Sequence, residues 1–124
     1  MGLCIGVGAL ITTVVIDAFT LAWTHSIEKI RWEEDWRLES GQLVIAEARI
    51  RGSGAGMEPP AGATFKDGAW HYRPDLPAQR ALHLTHSPYT TGYELCVGGR
   101  CGALADHLPG IENTTVIELR PCAP

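Results

Sequence analysis

No lysine or arginine precedes Lys29, and nowhere in the 124 residues do basic side chains gather into a run. With 14 acidic against 10 basic residues, the formal charge is −4. Such a chain has little with which to neutralise phosphates, which argues against nucleic acid as a partner. The apolar run from Leu3 to Ile16 falls short of the ~20 residues that a membrane-spanning helix requires. It also lacks the basic segment that opens a signal peptide. Its Gly6, Gly8, Thr12, Thr13, Val14, Val15 and Ile16 favour strand and turn over helix, so it reads as folded sheet. A signal remnant or truncated start is the competing reading. No transmembrane helix is expected, which leaves peripheral membrane association open. Also missing is any long stretch with the three-to-four residue period of an amphipathic helix. There is no Gly-x-Ser-x-Gly elbow, no Gly-Lys-Ser/Thr phosphate loop and no compact metal-ligand motif. Hydrolase, nucleotide-binding and metal-centre readings lose their usual signatures.

What remains is strand after strand. An apolar share of 45% and a charged share of 19% suit a folded protein, and the length suits one domain, 1–124. Strands are expected near 3–7, 10–16, 18–27, 30–39, 42–50, 68–73, 80–87, 92–97, 100–104 and 114–120, with a single helical turn within 103–108. Short strands separated by Gly and Pro predict an all-β antiparallel sandwich or flattened barrel. A shift of 61 positions (86 − 25) lays Thr24-His25-Ser26 on Thr85-His86-Ser87, and Gly41-Gln42-Leu43 on Gly102-Ala103-Leu104. Half-repeats over 18–50 and 80–111, with a pseudo-twofold, would produce this; coincidence is the alternative.

Four cysteines stand at 4, 96, 101 and 122. Leu95 to Cys101 reads as a hairpin with a Gly98-Gly99 turn. Val97 and Arg100 then form the hydrogen-bonded closing pair, and Cys96 faces Cys101 in the next, closer pair. Cys4 and Cys122 lie near opposite ends of the chain, and terminal strands are often neighbours. Two bridges would imply an oxidising compartment. A zinc site and free buried thiols are the competing readings.

Two strand-like stretches put a polar residue on an apolar face. Glu34 falls with Ile30, Trp32, Trp36 and Leu38; His25 falls with Phe19, Leu21, Trp23 and Ile27. Each is costly there unless it finds a partner. A turn over Glu28 to Arg31 would set His25 opposite Glu34, or diagonal to it with a tighter turn. A Ser40-Gly41 loop would set Glu34 opposite Glu47, with Arg49 on the same face; a one-residue change would set it opposite Ala48 instead. His25, Glu34 and Glu47 could hold a metal, although a structural His–Glu hydrogen bond is the plainer reading. Arg49 and Arg51 lead into Gly52-Ser53-Gly54-Ala55-Gly56, whose backbone N–H groups could meet an anion. His86 also sits on an apolar face, with Leu82 and Leu84. Trp23, Trp32, Trp36 and Trp70 are explained first by packing.

Phe19 to Glu28, then Glu33-Glu34-Asp35-Trp36-Arg37-Leu38, then Gly54-Ala55-Gly56, resemble the small bacterial β proteins of the domain of unknown function 1850 family. The resemblance implies no activity. It does imply a genomic setting beside TRAP transporters of the TAXI class, which take up small organic acids, and often an N-terminal membrane or export segment. The expectation is a non-enzymatic accessory or small-ligand protein, with His25, Glu34, Glu47, Arg49, Arg51, Gly54, Gly56 and His86 as candidate ligand residues. An organic anion is the expected ligand, and no cofactor is expected. The alternatives are a structural or protein-interaction domain and, third, a metal-dependent enzyme using His25, Glu34 and Glu47. The compartment is expected to be extracytoplasmic (periplasmic) on the paired cysteines, or cytoplasmic if the lack of a signal peptide decides.

Overall fold

The computed structural model describes residues 1–24, 29–52 and 60–123. Eleven strands carry the fold: β1 (Gly2–Val7), β2 (Leu10–Val15), β3 (Ala18–Thr24), β4 (Arg31–Glu39), β5 (Gln42–Arg51), β6 (Thr64–Lys66), β7 (Ala69–Tyr72), β8 (Leu82–His86), β9 (Glu94–Val97), β10 (Arg100–Ala103) and β11 (Thr115–Cys122). One short 3-10 helix, Leu104–His107, follows β10. The expected strands form, and β6 is an addition: Asp67 and Gly68, both at positive φ, turn the chain tightly from β6 into β7.

Two antiparallel sheets result. The smaller runs β2-β1-β11-β8 and the larger β10-β9-β3-β4-β5-β7-β6. Alternation supplies an apolar face to each, and the faces meet. Leu3, Ile5, Ile117 and Leu119 of the small sheet share one core with Phe19, Leu21, Trp36, Leu38, Leu43, Ile45 and Leu95 of the large one. Leu104 and Leu108, at the 3-10 helix, join the same core. The expected pseudo-twofold is absent from the strand order. β3 and β4 pair within the large sheet, whereas β8 and β9, which hold positions 61 residues later, lie in different sheets.

Two register findings place the charges. β3 pairs with β4 so that Leu21 faces Glu34 and Trp23 faces Trp32. Leu21 therefore stands opposite Glu34, where a turn over Glu28 to Arg31 would have set His25; His25 itself lies outside the described residues. Between β4 and β5, Leu38 faces Leu43 and Trp36 faces Ile45, as a Ser40-Gly41 loop dictates. The register then shifts by one residue: Asp35 faces Glu47 and Glu34 faces Ala48, with Ala46 the extra residue of a β-bulge. The Glu34–Ala48 pairing thus arises inside the strand, not in the loop.

Both disulfides form. Cys96 and Cys101 are direct cross-strand neighbours with α-carbons 4.0 Å apart. Cys4 joins Cys122 across β1 and β11, with α-carbons 5.8 Å apart. Their sequence separations are 118 for Cys4–Cys122 and 5 for Cys96–Cys101. Loop-closure entropy then gives about 5 kcal/mol for the long ring and about 2 kcal/mol for the short one. Urea denaturation of the two double-serine variants is expected to show the larger loss for Cys4/Cys122. The reverse order would mean that local strain, not chain entropy, sets their value.

Candidate functional site

The expected site residues that the structure describes divide between two faces. His25, Gly54 and Gly56 lie outside the described residues. Glu34 points into the sandwich, on the face of its row partners Leu21 and Ala48. The bulge at Ala46 turns Glu47, Arg49 and Arg51 to the opposite, outer face of the large sheet. The expected contact of Glu34 with Glu47 and Arg49 is therefore not made. His86 is on the inner face of the small sheet, on the far side of the sandwich from Arg49.

On the outer face, the alternating charges of β4 find partners in β3, β5 and β9. Arg49 grips Asp35 with two guanidinium nitrogens, at 2.6 and 2.8 Å, and donates to Glu33 through Nε at 3.0 Å. Arg51 donates to the same Glu33 oxygen, and Arg31 bridges Glu33 and Glu94 at 3.0 and 2.7 Å. Thr20 donates to Asp35, while Glu47 contacts both Arg49 and His71. Burial alone would push the Glu33 carboxyl up. Hydrogen bonds from Arg49 and Arg31, with the charge of Arg51, hold it below the usual carboxylate range. Asp35 is likewise held low, chiefly by Arg49. Three guanidinium groups thus stand among four carboxylates (Glu33, Asp35, Glu47, Glu94), and every one is engaged. A groove of about 530 Å³ crosses this surface beside Cys96–Cys101. Its cations already have anions, so an incoming anion would have to displace a carboxylate.

Glu34 behaves in the opposite way. Burial raises its carboxyl above the usual range, more than the 3.2 Å hydrogen bond from the Trp36 indole lowers it. Tyr72 and Tyr93 are raised too, first by burial and then by the charge of Glu34.

A second concavity, of about 540 Å³, lies at one end of the sandwich. Trp23, Thr24, Lys29, Thr85, Tyr89, Thr90, Thr91, Gly92 and Tyr93 line it. Trp23 stacks on Trp32 with ring centres 6.3 Å apart and meets Tyr93 at 5.7 Å, so its aromatic wall is braced from the core. Lys29 is held at φ 58°, a left-handed conformation that costs a non-glycine residue of order 1–2 kcal/mol. Among the described lining residues Lys29 carries the only formal charge. His86 abuts this end, since a Cβ placed on Gly92 would lie 3.6 Å from its Nδ1. The sequence singles out His86 as a ligand candidate and Trp23 as a packing residue; the other lining residues were missed. The signal was the Tyr89-Thr90-Thr91-Gly92-Tyr93 run, which reads as a loop until the fold brings it against Trp23. Among the described residues no group of three or more His, Cys, Asp or Glu could hold a metal ion; His25 of the proposed metal set lies outside them.

Two sheets bearing these residues define a β-sandwich with a polar, aromatic-walled mouth. The model of the family described as Domain of unknown function (DUF1850) matches residues 19–104, and the chain belongs to that family. No curated protein and no solved structure matches the chain.

Two expectations test this electrostatic account. Glu33→Ala removes a carboxylate whose side chain is only 11% exposed from three arginines; Arg49 keeps Asp35 and Arg31 keeps Glu94, so the loss should be about 2 kcal/mol. Arg37→Ala breaks a pair that is half exposed on both sides and should cost less than about 0.5 kcal/mol. The pH profile separates the carboxylates. Glu33 and Asp35, held low, contribute stability that is present above the usual carboxylate pKa of ~4 and is lost as pH falls through their lowered values. Glu34, held high, favours folding when protonated, so its contribution is lost as pH rises past that same range. Glu34→Gln is therefore expected to raise the neutral-pH denaturation midpoint and to flatten the decline above pH ~4. An unchanged profile would mean that Glu34 is solvated.

Proposed function

We propose that this protein is a non-enzymatic small-ligand binding protein that takes an organic anion at the Trp23–Lys29–Tyr93 concavity. The observation that carries the proposal is a single ammonium group beside an aromatic wall and several hydroxyls, with no carboxylate among the described lining residues. Its volume falls in the range of small-molecule sites. Lys29 supplies the countercharge, Thr24, Thr85, Thr90 and Thr91 supply hydrogen bonds, and the Trp23 and Tyr93 rings accept an apolar body. The strained backbone of Lys29 is what a positioning role would produce. The outer-face arginines suit this role less, because their own carboxylates saturate them.

The cellular role we propose is that of an accessory to a TRAP transporter of the TAXI class, working in an extracytoplasmic compartment. The family's setting supports the first part, and two disulfides in so short a chain support the second. Recovery of the transporter's membrane subunits with the tagged protein from native membranes is the expected result; their absence would remove the transporter from the proposal.

Ligand binding has its own test. Small mono- and dicarboxylates are titrated against intrinsic tryptophan fluorescence and by calorimetry. A carboxylate that binds should perturb Trp23 emission and lose at least tenfold in affinity in Lys29→Gly. That variant removes the charge and also relieves the positive φ, so its thermal midpoint should hold or rise. Wild-type affinity in Lys29→Gly, or no response to any carboxylate, would overturn the anion reading.

A further inference from the structure

The small sheet ends in a strand that does nothing to discourage company. Strand edges are normally blunted by shortness, charge or proline. Three of the four outer strands follow that rule: β6 has three residues and Lys66, β10 has four and Arg100, and β8 has five and two histidines. β2 reads Leu-Ile-Thr-Thr-Val-Val, six residues with neither charge nor proline. Ile11 is 50% and Val15 71% exposed, beside Val116 at 50%.

The hydrogen-bond phase of this edge follows from its turn. Val7 and Leu10 close a two-residue loop that begins with Gly8 at φ 58°, so they form a hydrogen-bonded pair with each other. Alternation then points the N–H and C=O groups of Leu10, Thr12 and Val14 inward to β1. Those of Ile11, Thr13 and Val15 point outward, and no backbone hydrogen bond beyond the β1 ladder involves them among the described residues.

We propose that β2 pairs with β2 of a second copy of this chain, antiparallel about a twofold axis at Thr13. This register sets Thr13 against its own counterpart and Ile11 against Val15 of the second copy. It engages all three outward residues of both strands at once. A shift of two residues would leave outward groups unpaired. A shift of one would oppose inward-facing to outward-facing side chains. The pairing keeps outer faces on one side, joining two four-stranded sheets into one of eight, and places apolar Ile11 and Val15 together with no like charges opposed. A single strand edge buries less than the ~1,000 Å² of a stable interface, so the dimer should be weak and depend on concentration.

Sedimentation velocity across roughly 1 µM to 1 mM is the experiment, that range being where so small an interface should titrate. Wild-type protein should pass from monomer to dimer. Thr13→Pro removes an outward N–H while leaving the β1 ladder whole, so it should stay monomeric with unchanged circular dichroism and thermal midpoint. Thr13→Lys opposes two like charges at the axis and should weaken the dimer at least tenfold, so the idea is still tested if the proline variant fails to fold. Thr13→Val should dimerise like wild type. Wild-type protein that is monomeric throughout would overturn the self-pairing, as would a well-folded Thr13→Pro or Thr13→Lys variant that dimerises as wild type does.

Discussion

One extra residue in β5 decides which side of the large sheet receives the charges that follow it. In unbroken register Glu47 would face Glu34 and Arg49 would face Trp32, driving a carboxylate and a guanidinium into the sandwich. Burying such ions without ideal partners costs several kcal/mol each. The bulge at Ala46 absorbs one position, and everything downstream changes face. Glu47, Arg49 and Arg51 then join Arg31, Glu33, Asp35, His71 and Glu94 outside, while Ala48 and Ile50 turn inward to the core. The ion lattice and the apolar packing are two results of the same local irregularity.

The lattice and the open end of the sandwich divide the protein's polar chemistry. On the outer face, opposite charges satisfy each other at short range, and the geometry favours holding four strands in fixed register. At the open end, among the described lining residues, one ammonium sits beside hydroxyls and braced rings. A closed network resists ligands because each contact must first be broken. Glu34 belongs to neither. It is an inner carboxylate near two tyrosines, its carboxyl raised above the usual range by burial.

Much of the architecture could be read from residues. Gly98-Gly99 fixed the Cys96–Cys101 pairing because a two-residue turn leaves no freedom of register. Ser40-Gly41 did the same for Leu38–Leu43 and Trp36–Ile45. The phase of His86 with Leu82 and Leu84 was visible in simple alternation. β6 was missed although Asp67-Gly68 is a strong turn signal, because its three residues are too few to show a pattern. The bulge was not legible at all: Ile45-Ala46-Glu47 contains no glycine, and its reason lies in burial costs across the sheet. For the same cause Glu34 does not join Glu47 and Arg49: an unbroken register groups them, and the bulge separates them. The mouth lining comes from distant loops whose meeting depends on tertiary packing.

The Cys4–Cys122 bridge makes the chain, in covalent terms, a ring that spans nearly its whole length. A peptide bond cut once anywhere within that ring releases no fragment. The two sides of the cut stay joined through sulfur, each strand still hydrogen-bonded to its neighbours. Where a protease meets the molecule, a nick in a loop would open the circle without dismantling the sandwich. Only a second cut, or reduction of that one bond, would let a piece leave.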